Sequence, residues 1–363
     1  MDLPVMPPLA PMLAKSSPEL PEAEPGAFWF EPKWDGFRCL VFRDGDEIVL
    51  CSRNDKPLTR YFPELLGPLL ASLPERCVVD GEVVVVGPDG LDFDALQQRI
   101  HPAASRVERL AGETPASFVA FDLVALGDRS LLEAPLSERR ALLEEALASP
   151  APSVHLTPGT LDRDLASDWF SRFEGAGLDG VMAKAAEGTY QPNKRAALKI
   201  KHLRTADCVV AGFREHKDGS GPGSLLLGLF DEQGDLHHLG VASSFSVARR
   251  AELREELAPH VAADWSEHPW GRWADQEAHA AEGAARLPGG VSRWNATKDL
   301  SFTPMRIELV AEVAYERVDN GRFRHSARFQ RWRPDRTPTS CTFEQLEVVP
   351  PVELRSVFQD DRP

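Results

Sequence analysis

The chain of 363 residues contains no apolar run approaching the ~18 residues that a membrane span requires. Its Pro- and Leu-rich N-terminus has neither the basic start nor the small-residue cleavage site of a signal peptide. A cytoplasmic protein with no membrane partner is therefore expected. Cysteine is sparse: Cys39, Cys51, Cys77, Cys208 and Cys341 are scattered with no Cys-x-x-Cys pair, which fits reduced, buried thiols and gives no zinc site. Neither an internal repeat nor a coiled-coil heptad is present. A net positive charge is also missing, since the formal charge is -15. Taken as an average, that argues against binding nucleic acid, because affinity for phosphate comes from clustered Lys and Arg. The distribution changes the inference. Arg317, Arg322, Arg324, Arg328, Arg331, Arg333 and Arg336 face only Asp319 and Asp335 within their own stretch, so one basic face suited to a polyanion is expected in an acidic protein.

A hydrophobic share of 42% and a charged share of 27% are ordinary for a globular chain, and the length allows two domains with separate cores. Residues 1–27, Pro-rich with Glu19, Glu22 and Glu24 near their end, read as an extended lead-in that crosses the surface. Strand candidates follow at 40–42 and 48–52, joined by the turn signal Asp44-Gly45, and a helical spacing runs from 63 to 73. Apolar strands at 77–79 and 83–86 flank Asp80-Gly81-Glu82, and another at 118–124 carries Asp122. Helices are predicted at 137–148, from a Ser start, and at 161–173, then strands at 181–184 and 197–201. Strands and helices mix without strict alternation, which is an α+β pattern. A boundary near residues 202–206 divides the chain into domains 1–203 and 204–363. The second domain reads as strands at 208–213, 225–231, 236–243, 307–314 and 323–332. Helical segments at 247–263 and 275–286 accompany them, which fits a small Greek-key barrel of the OB type.

The stretch Phe28-Trp29-Phe30-Glu31-Pro32-Lys33-Trp34-Asp35-Gly36-Phe37-Arg38 organises the chemistry. Its aromatic run reads as a buried strand, Pro32 ends the pairing, and Lys33 stands beside a turn-forming Asp-Gly with an arginine following. A lysine amine is a nucleophile only when neutral, a state favoured by nearby cations or by loss of water. Lys-x-Asp-Gly alone arises by chance in roughly one chain in ten of this length, and Lys-x-Asp-Gly-x-Arg in about one in a few hundred. The weight comes from its companions. These are Ser52-Arg53, Asp80-Gly81-Glu82, Phe121-Asp122, Leu178-Asp179-Gly180-Val181-Met182-Ala183-Lys184, Leu198-Lys199-Ile200-Lys201 and Phe329-Gln330-Arg331-Trp332-Arg333-Pro334-Asp335-Arg336.

In order and spacing, over roughly residues 8 to 350, these motifs resemble the covalent nucleotidyltransferase superfamily. The specific likeness is to ATP-dependent DNA ligases, most closely the compact stand-alone bacterial ligase C type. The resemblance implies an adenylation (nucleotidyltransferase) domain followed by an OB-fold β-barrel domain. It also implies a repair activity: Lys33 attacks ATP, the adenylate passes to a 5′-phosphate at a nick in duplex DNA, and a 3′-hydroxyl displaces AMP. Forming a lysyl-adenylate needs a neutral amine in line with the α-phosphate, cations on the phosphates and a metal, Mg2+ or Mn2+, to take charge on the leaving group. By resemblance Glu31 reads the adenine amino group, Arg38 contacts the ribose, Phe121 stacks on the base, Glu82 lies near ribose and metal, Asp179 binds metal, and Arg53 contacts the phosphate of the nick. Lys199 and Lys201 share a strand face, so both can reach one phosphate, and their charge is expected to lower the pKa of Lys33. Arg331, Arg333 and Arg336 would orient pyrophosphate, in a segment that closes over ATP and later swings away about a hinge at 202–206.

Two departures from the family pattern stand out. Asp179-Gly180 replaces the usual Glu-Gly, keeping a carboxylate but shortening it by one methylene. Arg336 replaces a lysine and keeps the charge in a fork suited to phosphate. With 32 residues before Lys33, no nicotinamide-recognising domain is expected ahead of it, so ATP is the expected donor. A monomer is expected, with nicked DNA as partner and other DNA repair proteins as further partners the resemblance allows. An RNA ligase or mRNA-capping-type guanylyltransferase would share the three lysines and differ in base and acceptor. A non-catalytic nick-binding adaptor is the alternative of another class. The Gly-rich stretch 218–224 lacks a Gly-Lys-Ser/Thr ending and reads as a hairpin turn. His237-His238 read as surface, and Trp265, Trp270 and Trp273 as packing of a barrel insertion.

Overall fold

Runs of β-branched and aromatic residues become strands wherever both faces can be covered. The computed structural model describes residues 1–88, 90–266, 268–272, 287–288, 300–319, 321–346 and 357. Of these, 1–201 and Val357 form one unit and 202–346 a second. The sequence reading assigns everything after 204 to the second domain, whereas Val357 is buried in a core of the first, with Leu20, Phe30 and Trp34. The predicted helix at 275–286 and Trp273 lie outside the described residues.

The first unit runs β1 (Leu13–Ser17), β2 (Phe28–Pro32), β3 (Phe37–Asp44), β4 (Glu47–Ser52), α1 (Pro63–Ser72), β5 (Arg76–Gly87), β6 (Gly90–Leu91), α2 (Phe93–Arg99), α3 (Ala104–Glu113), β7 (Ala116–Leu126), β8 (Arg129–Ser130), α4 (Leu136–Ala146), β9 (Val154–Leu156), α5 (Arg163–Arg172), β10 (Val181–Ala185) and β11 (Arg195–Ile200). Two sheets result. One has the order β4-β3-β5-β7-β8, with β6 on β5 and β9 on β7; the other is β1-β11-β10-β2. Asp80-Gly81-Glu82 does not interrupt its strand: β5 runs unbroken, with Gly81 opposite Cys39 and Ala120. Helix α4 starts at Leu136 rather than on a serine cap: Ser137 lies inside the helix, and its hydroxyl is 3.0 Å from Glu187. Asp162 does cap α5, accepting from the amides of Asp164 and Leu165.

The supposed surface lead-in is part of the fold. Leu3, Val5, Leu9 and Met12 are buried with Leu40, Phe42 and Tyr190, and β1 pairs in parallel with β11. Proline content made the segment look solvated, but a few apolar side chains on an extended segment suffice to cover one sheet face. Short α2 and α3 carry few buried side chains each, too few to impose a visible helical period.

The second unit runs β12 (Arg204–Glu215), β13 (Pro222–Phe230), β14 (Leu236–Ser243), α6 (Val247–Leu257), β15 (Thr303–Pro304), β16 (Val310–Tyr315), β17 (Val318–Asp319), β18 (Arg322–Phe323) and β19 (Arg328–Trp332). The order β14-β13-β12-β16-β19 curls until Ala242 bridges Ala327 in parallel, bringing the two edges together as a barrel. Trp270 is fully buried in its core, as packing predicts. His238 is not on the surface as expected. It is buried edge-on to Trp270, and burial, with Arg322 and Arg214 nearby, pushes its pKa down to about 3. All five cysteines are buried free thiols. No helix among the described residues is long and apolar enough to cross a membrane.

Candidate active site

Lys33 is held by its backbone before its side chain acts. Its N–H donates to the Gly180 carbonyl at 2.8 Å, and its carbonyl accepts from the Asp179 N–H at 2.9 Å. These bonds continue the β2–β10 ladder, in which Pro32 pairs with Val181 and Glu31 with Met182. Gly180 makes the approach feasible. Its φ is +128°, and a Cβ there would lie 2.1 Å from the Ile200 carbonyl oxygen. Gly36 is needed in the same way, since a Cβ would meet the Val83 carbonyl at 2.2 Å.

The clamp sets the Lys33 ammonium 2.9 Å from Asp179 Oδ2, with Lys201 Nζ 3.2 Å from the same oxygen; the three side chains are 19%, 7% and 17% exposed respectively. Burial pulls the Lys33 pKa down, but Asp179, with Asp35 and Glu82 beyond it, outweighs burial and leaves it above the ordinary lysine value. This reverses the expectation that Lys199 and Lys201 lower it. The sequence reading counted the neighbouring cations and missed the carboxylate lying between Lys33 and Lys201. Asp179 in turn is held well below the usual carboxylate range: burial opposes its charge, and Lys33 and Lys201 together overcome that. Lys199 lies on β11 opposite Met182, half-buried.

Glu82 faces Arg38 across the β3–β5 pair. Its carboxylate makes no hydrogen bond or ion pair among the described residues. Burial pushes its pKa up to about 8, only partly offset by Lys33 and Arg38. Arg38 donates Nε to Asp80 Oδ1 at 2.7 Å and Nη2 to Asp80 Oδ2 at 2.5 Å, and its guanidinium lies 5.0 Å from the centre of the half-buried Phe121 ring. Glu31 is buried, with Oε2 2.7 Å from Lys184 Nζ, while Oε1 is buried without a hydrogen-bond partner. Arg53 is exposed in the turn after β4, bordering a groove of about 300 Å³ lined also by Leu9, Asn54 and Asn193.

In the first unit Glu31 lies on β2, Arg38 on β3, Glu82 on β5 and Phe121 on β7, while Lys33, Asp179 and Lys201 lie just outside the ends of β2, β10 and β11. Arg331, Arg333 and Arg336 belong to the second unit and are not bare cations. Arg333 Nη1 donates to both carboxylate oxygens of Asp207 at 2.9 Å while its Nη2 reaches Asp335 at 2.7 Å; Arg331 pairs with Glu312 at 2.7 Å; Arg336 Nη2 donates to the Ser340 carbonyl at 3.0 Å. The strongly basic face expected from the local arginine count is therefore partly neutralised by Asp207 and Glu312, which the fold delivers from other strands.

Two residues at the site carry no role in the sequence reading. Lys184 closes a quoted motif and shares a strand face with Met182, which pairs with Glu31, so the two-residue period was an available signal. Its Nζ also lies 4.8 Å from the Phe121 ring centre. Tyr190, between β10 and β11, lies outside every motif, and nothing in the sequence pointed to it.

An unpartnered buried acceptor on Glu31 beside an aromatic ring suits a base carrying an exocyclic amino group. For a divalent metal, no cluster of three or more His, Cys, Asp or Glu occurs among the described residues, but Glu82 and Asp179 supply two carboxylates. That matches a Mg2+ site completed by water and phosphate oxygens rather than an all-protein cage.

The chain matches the ATP dependent DNA ligase domain over residues 11–201 and the ATP dependent DNA ligase C terminal region over residues 218–336. It is 57% identical over 351 residues to DNA ligase C2 of Mycolicibacterium smegmatis, covering 96% of this chain and 97% of that protein. With DNA ligase C of Mycobacterium tuberculosis it shares 55% identity over 362 residues, covering 98% and 99%. Among solved structures, a Lig E DNA ligase described as binding DNA with a minimal scaffold aligns at TM-score 0.56 and 17% identity, covering 89% of this chain and 99% of that one. The fold is accordingly α+β, a nucleotidyltransferase domain followed by an OB-fold barrel.

Proposed function

The chain belongs to the ATP-dependent DNA ligases, and from that premise we propose that it seals nicks in duplex DNA with Lys33 as the nucleophile. The observation that carries the assignment is the backbone clamp between Lys33 and Asp179-Gly180, which sets one amine beside a carboxylate and a second lysine. In the first step the Lys33 ammonium loses one proton to solvent, the neutral amine forms an N–P bond to the α-phosphate of ATP as the P–O bond to pyrophosphate breaks, and the nitrogen releases a second proton to solvent. The 5′-phosphate of the nick then takes the AMP, and the 3′-hydroxyl displaces it.

Lys33 rests as an ammonium paired with Asp179, so nucleotide binding must weaken that pair before the lone pair is available. Glu82 and Asp179 would hold a divalent cation, Mg2+ or Mn2+, whose charge would compete with Lys33 for Asp179 and stabilise the departing pyrophosphate. Lys201 and Lys199 hold phosphate oxygens, Glu31 accepts from the adenine amino group with Lys184 fixing its carboxylate, Phe121 stacks on the base and Arg38 contacts the ribose. Arg331, Arg333 and Arg336 orient pyrophosphate, and exposed Arg53, which has no hydrogen bond or ion pair among the described residues, meets a phosphate of the nick.

RNA ligase and guanylyltransferase activities gain no observation here, and relatives at 55–57% identity carry the name DNA ligase. The test is incubation with α-labelled ATP or GTP followed by a chase with nicked DNA. A covalent label from ATP that disappears into DNA is expected. Label from GTP alone, or a label that nicked DNA fails to discharge, would reject the assignment.

A further inference from the structure

We propose that Tyr190 is a positioning residue for the ribose of the bound nucleotide, acting through Asp80 on Arg38; this rests on the reading that Arg38 contacts that ribose. Tyr190 is 2% exposed, and its ring is packed with Leu40, Phe42 and Met12, so its position does not depend on the hydroxyl. The hydroxyl nevertheless makes two bonds. It donates to Asp80 Oδ2 at 2.6 Å and accepts from the Met12 N–H at 3.2 Å.

Asp80 is wholly buried in the middle of β5, and its oxygens receive Nε and Nη2 of Arg38. A carboxylate gripped only by a flexible arginine could swivel about its terminal torsion together with that arginine. The third bond, from a tyrosine fixed by packing, removes this freedom. Arg38 is left with its inner edge pinned and Nη1 carrying no hydrogen bond among the described residues. The side chain is 23% exposed, and its guanidinium lies 5.0 Å from the Phe121 ring centre. A fork presented beside the base-stacking ring can address the sugar of the same nucleotide. Through Met12 the same hydroxyl ties the buried N-terminal segment to the site, which gives that segment a role beyond covering the sheet.

The test uses the full-length protein in single-turnover self-adenylation with ATP and 2′-deoxy-ATP, comparing wild type, Tyr190→Phe and Arg38→Lys, with a thermal melt of each. Tyr190→Phe is expected to lose roughly tenfold of the preference for ATP, the scale of one buried hydrogen bond to a charged group, with apparent KM rising more than the maximal rate falls. Arg38→Lys is expected to lose at least as much. If Arg38→Lys shifts the preference and Tyr190→Phe lowers only the melting temperature, Tyr190 is a core residue and the inference is overturned. If neither variant shifts it, the ribose reading of Arg38 fails instead. Against a folding failure of Tyr190→Phe, the chain has only 3 tyrosines, Tyr61, Tyr190 and Tyr315, so 3-fluorotyrosine can replace all of them and make the hydroxyl a stronger donor. A changed ATP preference supports the proposal and an unchanged one overturns it.

Discussion

Replacing Lys184 by methionine should destabilise the first unit far more than an exposed lysine would. Its Nζ lies 2.7 Å from Glu31 Oε2, with the two side chains 7% and 3% exposed. Glu31 Oε1 already lacks a partner, so the variant leaves a buried carboxylate with no ion pair among the described residues. Breaking a buried pair from one side costs about 3–5 kcal/mol, because the remaining charge stays desolvated. At about 2–4 °C per kcal/mol for a unit of this size, the melting temperature should fall by roughly 6–20 °C. Glu31→Gln removes the other half, and the double variant Lys184→Met/Glu31→Gln should recover part of the loss, with a coupling energy of about 2 kcal/mol or more. Urea unfolding and calorimetry on the four proteins measure the cycle. The double variant should also lose discrimination between ATP and GTP in covalent labelling, since the acceptor for the adenine amino group is no longer a fixed carboxylate. Additive losses, or a single-variant loss below about 1 kcal/mol, would refute the reasoning, because an exposed ion pair behaves that way.

Lys33→Ala should abolish covalent labelling by ATP; wild-type labelling of that variant removes Lys33 as the nucleophile. Asp179→Ala should impair the metal-dependent steps while Asp179→Glu retains much activity, a contrast read from initial rates across Mg2+ and Mn2+ titrations; unchanged rates for Asp179→Ala would end its metal role. Glu82, pushed up to about 8, holds a proton at neutral pH that a divalent ion must displace. The ion concentration for half-maximal adenylation should therefore fall by up to about tenfold per pH unit as pH rises toward that value and flatten above it; a requirement independent of pH, or the same slope in Glu82→Gln, contradicts this. Arg333→Ala should slow reaction with free ATP while sealing of a nick carrying a pre-formed 5′-adenylate suffers less. Equal losses in both assays would assign Arg333 to holding the barrel together through Asp207.

The strands around Lys33, the helices α1, α4 and α5 and the barrel strands of the second unit were legible in the sequence, because apolar periodicity and turn dipeptides act over a few neighbouring residues. The motifs themselves were legible as short strings, and they fall on or beside the strands β2, β3, β5, β7, β10 and β11. Less legible were short, weakly patterned elements such as α2, α3 and β1, whose burial comes from the sheet they cover rather than from their own period. The partners of the charges depended on tertiary structure alone. Lys33 meets Asp179 across 146 positions, Tyr190 meets Asp80 across 110, and Arg333 meets Asp207 across 126. Coulomb and hydrogen-bond energies depend on separation in space and on the water excluded between the groups, and neither follows from separation along the chain. That is why a nucleophile expected to be eased toward neutrality by two lysines is found resting against a carboxylate, and why an arginine cluster expected to stand bare is found partly paired.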